Sequence, residues 1–342
     1  GQPSAAAGAS PLTDLFGREH TYLRVSLTER CNLRCTYCMP QEGIEESPRE
    51  ALLTDDELVR IIGIFHSLGG ARKLRFTGGE PLLHKTLPSL ISRVTSCSPE
   101  VRSVGLTTNG VLLRGLLPRL TAAGLTHANV SLDSLREDRF DAITRRTGLR
   151  TVLAAVYAAV GAGLAVKVNV VLMAGVNDDE VGQFVRLTRE LPLDVRFIEP
   201  MPFDGNAYSS SSLLSVPRLL RAIAQDIGSG VEAETSDDPS DTTRWYRAEG
   251  HEGRVGFITS MSDHFCGTCN RLRVTADGSL KVCLFGDESF SLRDAIRARW
   301  TDEDIVAGIA ARVRAKHFKH GGHSGPEELA ATPNRPMIRI GG

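Results

Sequence analysis

Short apolar runs and amphipathic stretches take turns along the first two thirds of this chain. Residues 22–27 read as a strand. Thr54-Asp55-Asp56-Glu57 then forms a capping box. It opens a helix with apolar residues at Leu58, Ile61, Ile62, Phe65 and Leu68, stopped by Gly69 and Gly70. The pattern continues with a strand over 73–77, a helix over about 87–94, a strand over 103–107 and a Leu-rich helix ending at Gly124. Strands follow at 128–132, 166–172 and 193–198, with a helix over 152–160 and a further helix that Asn177 is expected to cap. Strand and helix alternating in this way predict an α/β fold with a parallel sheet and crossover helices. Six such units are too few for a closed eight-fold barrel and predict an incomplete, six-unit parallel β/α barrel. The loops that carry unusual residues all follow strands, and strand C-terminal ends are where barrels place their active sites.

The polar, acidic stretch 235–241 marks a change of composition and reads as a surface loop. The expected division is therefore a disordered segment over 1–14, the partial barrel over 15–234 and a C-terminal region over 235–342. That last region contains short strand-like runs and two helical segments from about Leu292. At 342 residues and 41% hydrophobic, the chain holds one large domain or a domain with an appendage. A net charge of −1 leaves no footprint for nucleic acid or an anionic membrane, and no apolar run approaches the roughly 20 residues of a membrane span. The seven cysteines are odd in number and fall mostly in two tight groups, which argues for a reducing compartment over a disulfide framework. The first eleven residues lack the Arg-rich pattern of a transit peptide, and the chain starts at Gly1, as expected if an upstream segment has been removed.

Cys31, Cys35 and Cys38 have Cys-x3-Cys-x2-Cys spacing, which can gather three thiolates around one inorganic body. Three thiolates on a four-iron cluster leave one iron open to a ligand, and Tyr37 is placed to cover a ring bound there. A zinc knuckle or a disulfide loop fits the same spacing. Gly78-Gly79-Glu80-Pro81 directly follows a strand; glycines permit close backbone approach to a ligand, although an ordinary strand-to-helix turn uses them too. Lys167 shares a strand face with Asn169. A lysine in a buried parallel strand is costly unless an anion meets it; an edge strand with a solvated lysine is the alternative. Arg24 and Arg75 are expected to face the same interior, which implies a polyanionic substrate. A second group comprises Cys266, Cys269 and Cys283, with His264 nearby. It suits either zinc, with His264 as fourth ligand, or another open-corner cluster. Arg271 and Arg273 lie between these cysteines and would point the same way, making a site for an anion.

The first cysteine spacing, with an aromatic before the third cysteine, resembles the radical S-adenosylmethionine (SAM) enzymes. The resemblance narrows when motifs are taken in order: Arg24, the cysteine loop, Thr-Gly-Gly-Glu-Pro, Thr-Thr-Asn-Gly, Asn-Val-Ser-Leu-Asp, Val-Lys-Val-Asn, Arg-Phe-Ile-Glu, Phe-Cys-Gly-Thr-Cys-Asn-Arg-Leu-Arg and the terminal Gly341-Gly342. From about residue 15 onward the set resembles the GTP 3′,8-cyclase family, lyases that begin molybdenum cofactor biosynthesis. Residues 201–206 are similar to its eukaryotic members.

The resemblance implies a radical SAM partial barrel whose C-terminal extension carries a second [4Fe–4S] cluster. The first cluster, on Cys31, Cys35 and Cys38, would bind and cleave SAM, with Tyr37, Gly79, Ser131 and Met201 contacting SAM. The second, on Cys266, Cys269 and Cys283, would bind the guanine of GTP. Arg24, Arg75, Thr107, Lys167, Arg271 and Arg273 would hold GTP. Lys167, Arg271, Arg273, Gly341 and Gly342 would serve the reaction itself, which gives (8S)-3′,8-cyclo-7,8-dihydroguanosine 5′-triphosphate. Implied partners are an electron donor, a downstream cyclic pyranopterin monophosphate synthase (fused or associated) and a second copy of the chain in a homodimer. The implied location is the mitochondrial matrix for a eukaryotic member and the cytoplasm otherwise. Two other readings compete: a peptide-modifying radical SAM maturase, which usually carries more C-terminal cysteines, and a zinc-ribbon interaction protein, which leaves Lys167 and the arginines unexplained. Cys97 reads as a bystander, residues 312–320 as a solvated basic helix face, and His317, His320 and His323 as unrelated to metal.

Overall fold

Six strands form the centre of the molecule: β1 (Tyr22–Ser26), β2 (Lys73–Thr77), β3 (Ser103–Thr108), β4 (His127–Ser131), β5 (Ala165–Val171) and β6 (Leu193–Ile198). They pair in parallel and in chain order, as the alternation of patterns predicts. The computed structural model describes residues 10–98, 101, 103–206, 208–286 and 288–341. The C-terminal third adds β7 (Val231–Glu234), β8 (Arg244–Ala248), β9 (Val255–Ile258), β10 (Arg271–Val274), β11 (Ser279–Lys281) and β12 (Phe290–Ser291). Its strands extend both edges of the central six, giving one twelve-stranded sheet in the order β12-β11-β10-β1-β2-β3-β4-β5-β6-β9-β8-β7. β9 lies parallel to β6 and β10 parallel to β1. Residue 235 falls between β7 and β8, two paired strands of one edge, so the sheet is continuous across it.

Each central strand alternates. One face carries Leu23, Val25, Leu74, Phe76, Val104, Leu106, Val130, Val168 and Val195, all buried in the main core. This face packs on helices α1 (Asp55–Ser67), α2 (Leu87–Cys97), α3 (Leu113–Ala122), α4 (Glu137–Thr144), α5 (Leu149–Gly161), α6 (Val181–Glu190) and α7 (Val216–Ile227). Parallel strands covered on both sides normally read apolar on both faces. Here the second face carries Arg24, Arg75, Thr107, Asn129, Lys167, Asn169, Asp194 and Arg196, so it lines a largely polar space.

α1 starts on the predicted capping box. Thr54 accepts from the Glu57 N–H, while the Thr54 N–H donates to the Glu57 carboxylate at 2.8 Å, an arrangement worth about 1 kcal/mol. The same carboxylate takes Arg297 of α8 (Leu292–Arg297) at 2.7 Å, tying the C-terminal region to the central unit. α9 (Asp302–Arg314), α10 (Pro326–Ala331) and α11 (Met337–Ile340) complete the chain.

Two expectations are corrected. Asn177 does not cap a helix with its side chain; it accepts from the Met173 N–H at 2.8 Å and donates to the Asp133 and Val171 carbonyls at 2.8 and 2.9 Å. Residues 1–9 lie outside the described residues, but 10–14 are ordered by packing. Leu12 enters the main core, and buried Asp14 pairs with Arg18 at 2.6 Å. Among the described residues no helix is long and apolar enough to cross a membrane.

Candidate active site

The first cysteine loop leaves the C-terminal end of β1 and is pinned by backbone. The Leu27 N–H donates to Thr77 O at 2.9 Å, and the Arg34 and Thr36 N–H groups donate to the last carbonyls of α4, Thr144 O and Ile143 O, each at 2.9 Å. Arg145, just past α4, donates to Arg34 O and Met39 O, spanning the loop. The Cys31 sulfur receives the Leu33 N–H at 3.4 Å and lies 3.8 Å from Asn109 Nδ2. Burial pushes all three thiols up, and Cys38 reaches about 12 with Cys31 and Asp133 adding to burial. Such a cluster is neutral by itself; a bound cation reverses this and draws the thiolates out.

Gly78 and Gly79 serve this loop first. A Cβ on Gly79 would lie 2.2 Å from Arg30 O and 2.9 Å from Glu29 O, so the close approach is to the cysteine loop's own backbone. Glu80, fully buried, accepts from the Asn109 N–H at 2.7 Å, the Thr108 hydroxyl at 2.8 Å and the Leu82 N–H at 3.0 Å. Burial still pushes its carboxyl up to about 7. Tyr37 donates to Asp133 at 2.8 Å, and Asn206 donates to both Tyr37 O and Met201 O, joining the cysteine loop to the loop after β6. Ser131 ends β4 on the polar face.

That polar face is built in register. Arg273, Arg24 and Arg75 stand side by side on β10, β1 and β2. Two like charges about 4 Å apart cost roughly 4 kcal/mol at an effective dielectric of 20, so such a row calls for an anion. Burial and then the neighbouring guanidiniums push Arg273 and Arg196 down to about 10, and Arg24 in the same direction. Burial pushes the Tyr22 phenol up, but Arg75 and Arg24 outweigh it and bring it down to about 8; the phenol also accepts from Arg75 Nε. Several polar atoms here are buried without a protein partner: Ser26 Oγ, Thr107 Oγ1, Asn129 Oδ1, Arg271 Nη2 and Arg273 Nη1. Unpaired buried groups of this kind mark a place for a polar ligand.

Lys167 does lie on the polar face, but already has an anion. It pairs with Asp194 at 3.0 Å, shares it with Arg254 and sits 4.5 Å from the centre of the Trp245 ring. The solvated edge-strand alternative fails, since β5 is central in the sheet.

The second cysteine group lies at the β10 end of the row. Cys266, Cys269 and Cys283 line a cavity of about 80 Å³ together with Met201, Arg271 and Arg273. Burial pushes the Cys269 thiol up, but Arg271 and Lys316 outweigh it and bring it down to about 6. His264 packs its ring 5.1 Å from that of His320. Lys316 and His320 are buried, at 4% exposure each, which corrects the view of 312–320 as a solvated face. Arg18 secures the whole corner, donating to Cys266 O at 2.7 Å, Phe318 O at 2.8 Å and His317 O at 3.0 Å. We predict that Arg18→Ala, which strands the fully buried Asp14, lowers stability by about 3–5 kcal/mol; urea unfolding followed by circular dichroism measures it, and a loss below about 1 kcal/mol would contradict this role.

The C-terminal tail reaches the same face. Ile338 and Ile340 are buried, and Gly341 has φ +83 with its Cα hydrogen against β1 and β2: a Cβ there would lie 2.7 Å from Thr77 Oγ1 and 2.8 Å from Ser26 Cβ. Gly342 lies outside the described residues. Sequence reasoning missed Arg18, Glu80, Asp133, Arg196, Glu199 and Lys316. Glu199 accepts from the Met261 and Ser262 N–H groups and so fixes the approach to the second cysteine group. The motifs Thr-Gly-Gly-Glu-Pro, Asn-Val-Ser-Leu-Asp and Arg-Phe-Ile-Glu contain Glu80, Asp133, Arg196 and Glu199 but gave them no role, and Arg18 and Lys316 lie outside every motif.

Among the described residues, no three Cys, His, Asp or Glu side chains converge on a single-ion site. A tetrahedral zinc needs its donors about one centre at roughly 2.3 Å. The thiolates of a cubane each bind a different iron and do not converge. Neither cysteine group, among the described residues, presents the convergent donor set of a zinc site.

The fold and the first cysteine loop define a radical SAM α/β core with a C-terminal extension. The radical SAM superfamily model matches residues 25–188, and the Molybdenum Cofactor Synthesis C model matches 193–322. The structure of Streptococcus suis SuiB bound to S-adenosylmethionine shares the fold with TM-score 0.60 and 12% identity, over 94% of this chain and 72% of that one. The protein called GTP 3′,8-cyclase, mitochondrial, from Arabidopsis thaliana is 46% identical over 97% of this chain and 83% of its own length. Mouse molybdenum cofactor biosynthesis protein 1 is 47% identical over 99% of this chain and 52% of its own. This chain belongs to the GTP 3′,8-cyclase family. It spans about half the length of several of the curated relatives it matches.

Proposed function

We propose that this chain is a radical SAM lyase that converts GTP to (8S)-3′,8-cyclo-7,8-dihydroguanosine 5′-triphosphate at the start of molybdenum cofactor biosynthesis. The observation that carries the reading is the in-register row Arg273, Arg24 and Arg75, opening beside the second cysteine group. Three crowded guanidiniums, with buried donors of Arg271 and Arg273 left unpaired at one end of the row, are made for a polyphosphate. Family membership favours this reading over a peptide maturase, and the arginine row weighs against a zinc-ribbon binding protein.

In this proposal Cys31, Cys35 and Cys38 hold one [4Fe–4S] cluster, and Cys266, Cys269 and Cys283 hold a second. When bound, the first cluster and SAM would supply the 5′-deoxyadenosyl radical chemistry needed to remove the hydrogen from ribose C3′. The remaining work belongs to the chain. Tyr37, Gly79, Ser131 and Met201 cradle SAM at the strand ends. Arg24, Arg75, Thr107, Arg271 and Arg273 orient GTP from the β10 side, and Lys167, steadied by Asp194 and Trp245, adds positive charge from β5. The six central strands form the incomplete barrel whose polar interior keeps bulk water from C3′ and C8. An electron donor, a cyclic pyranopterin monophosphate synthase acting on the product, a homodimer and a mitochondrial location belong to the same proposal.

Each charge-assisted contact to phosphate is worth roughly 1.5–3 kcal/mol. Arg273→Ala is thus expected to weaken GTP binding by about one to two orders of magnitude while iron on the first cysteine group stays constant. Anaerobic titration calorimetry measures this. Unchanged affinity in a folded variant would place the arginine outside the substrate site.

A further inference from the structure

One buried cation at the second cysteine group has no part in the function above. Lys316 follows α9 and is 4% exposed. Its Nζ lies 2.8 Å from His20 Nε2, 3.3 Å from Arg271 O and 3.4 Å from Cys269 Sγ. The His20 ring is fully buried, and its Nδ1 lies 2.9 Å from Leu12 O. A carbonyl only accepts, so Nδ1 carries the ring proton and Nε2 accepts from the lysine. The ammonium is thereby aimed: the imidazole and the Arg271 carbonyl take two of its N–H bonds, and the third is shared by the Cys269 sulfur at 3.4 Å and the Cys269 carbonyl at 3.5 Å. A buried ammonium is costly without an anion. Asp14, the nearest carboxylate to this ring at 3.8 Å, is already committed to Arg18 at 2.6 Å. The Cys269 sulfur, 3.4 Å away, is where the negative charge of a bound cluster would meet the ammonium.

We infer that Lys316 is a positioning residue for the second cluster, holding the Cys269 sulfur in place through an N–H···S contact and, by its charge, making that cluster easier to reduce. The inference rests on the proposed second cluster. Hydrogen bonds to ligand sulfur and nearby charge are known levers on cluster potential. Reduction adds one electron and makes the cluster more negative, which an adjacent cation favours. His20 belongs to the same device, since it fixes the direction of the ammonium.

The test uses full-length chain carrying Cys31→Ser, Cys35→Ser and Cys38→Ser, so that only the second group can hold iron. Iron and sulfide are assayed, and the midpoint potential is read by paramagnetic resonance during a dithionite titration. Adding Lys316→Met is expected to lower the equilibrium constant for one-electron reduction about tenfold, a shift of about 59 mV to more negative potential. Lys316→Gln keeps a donor without charge and is expected to shift the same way, covering the case in which the methionine variant loses its cluster. Lys316→Arg should restore the parent potential. A background chain that binds no iron overturns both the second cluster and the role of Lys316. A background cluster whose potential is unmoved in the Met and Gln variants overturns the role of Lys316 alone.

Discussion

Replacing Cys35 by serine is expected to reduce 5′-deoxyadenosine formation from SAM to background. Serine can keep the backbone role of this position, where the Cys35 carbonyl accepts the Cys38 and Met39 N–H groups at 3.0 and 3.2 Å. The loop should therefore fold, and the loss should belong to the sulfur. A buried hydroxyl beside Asp133 is a far weaker ligand for iron than a thiolate. Cys269→Ser gives the contrast: GTP binding and cyclisation should be lost while some uncoupled SAM cleavage persists. Chromatography of anaerobic, dithionite-reduced reactions measures both. A Cys35→Ser protein that still made 5′-deoxyadenosine would end the assignment of the first cysteine group.

Deleting Gly341 and Gly342 is expected to leave iron content and GTP affinity largely intact while cutting cyclised product strongly. The tail is docked by Ile338 and Ile340, and Arg339 donates to Glu45 O at 2.5 Å. Its anchor thus lies before the glycines, so the deletion spares folding. Gly341 then meets Ser26 and Thr77 at the ends of β1 and β2, on the same face as Arg24 and Arg75. No side chain fits there, and a left-handed φ costs a non-glycine residue about 1–2 kcal/mol. Gly341→Val should therefore be as harmful as the deletion, and a bulky residue added after Gly342 nearly so. Product at the parent rate from the truncated chain would reduce the tail to a packing element.

Much of this architecture can be read from the chain because its signals are periodic or tightly spaced. The six parallel strands carry strong alternation, and α1 carries a complete capping box. α4 and α7 were not predicted: α4 has eight mostly polar residues, and α7 buries only Leu219 and Ile223 against the core. The cysteines, Arg24, Arg75 and Arg273 were legible because motif spacing and strand period place them. Lys167 was legible as an interior cation, but its partner Asp194 was not, because pairing across β5 and β6 depends on register. Lys316, Arg18 and His20 were invisible for the same reason. They meet beside the second cysteine group only because the N-terminal segment and the end of α9 fold onto one corner, bringing together residues nearly 300 positions apart. The ordered stretch 10–14 is explained by that corner as well.

The central claim is that ribose C3′ of GTP is the reacting position. Its most direct test is an anaerobic turnover of the reconstituted chain with SAM, dithionite and GTP deuterated at C3′. The account predicts one deuterium in the 5′-deoxyadenosine and a product with the mass of 3′,8-cyclo-7,8-dihydro-GTP lacking that deuterium. Unlabelled 5′-deoxyadenosine, or a product that retains the C3′ deuterium, would contradict it.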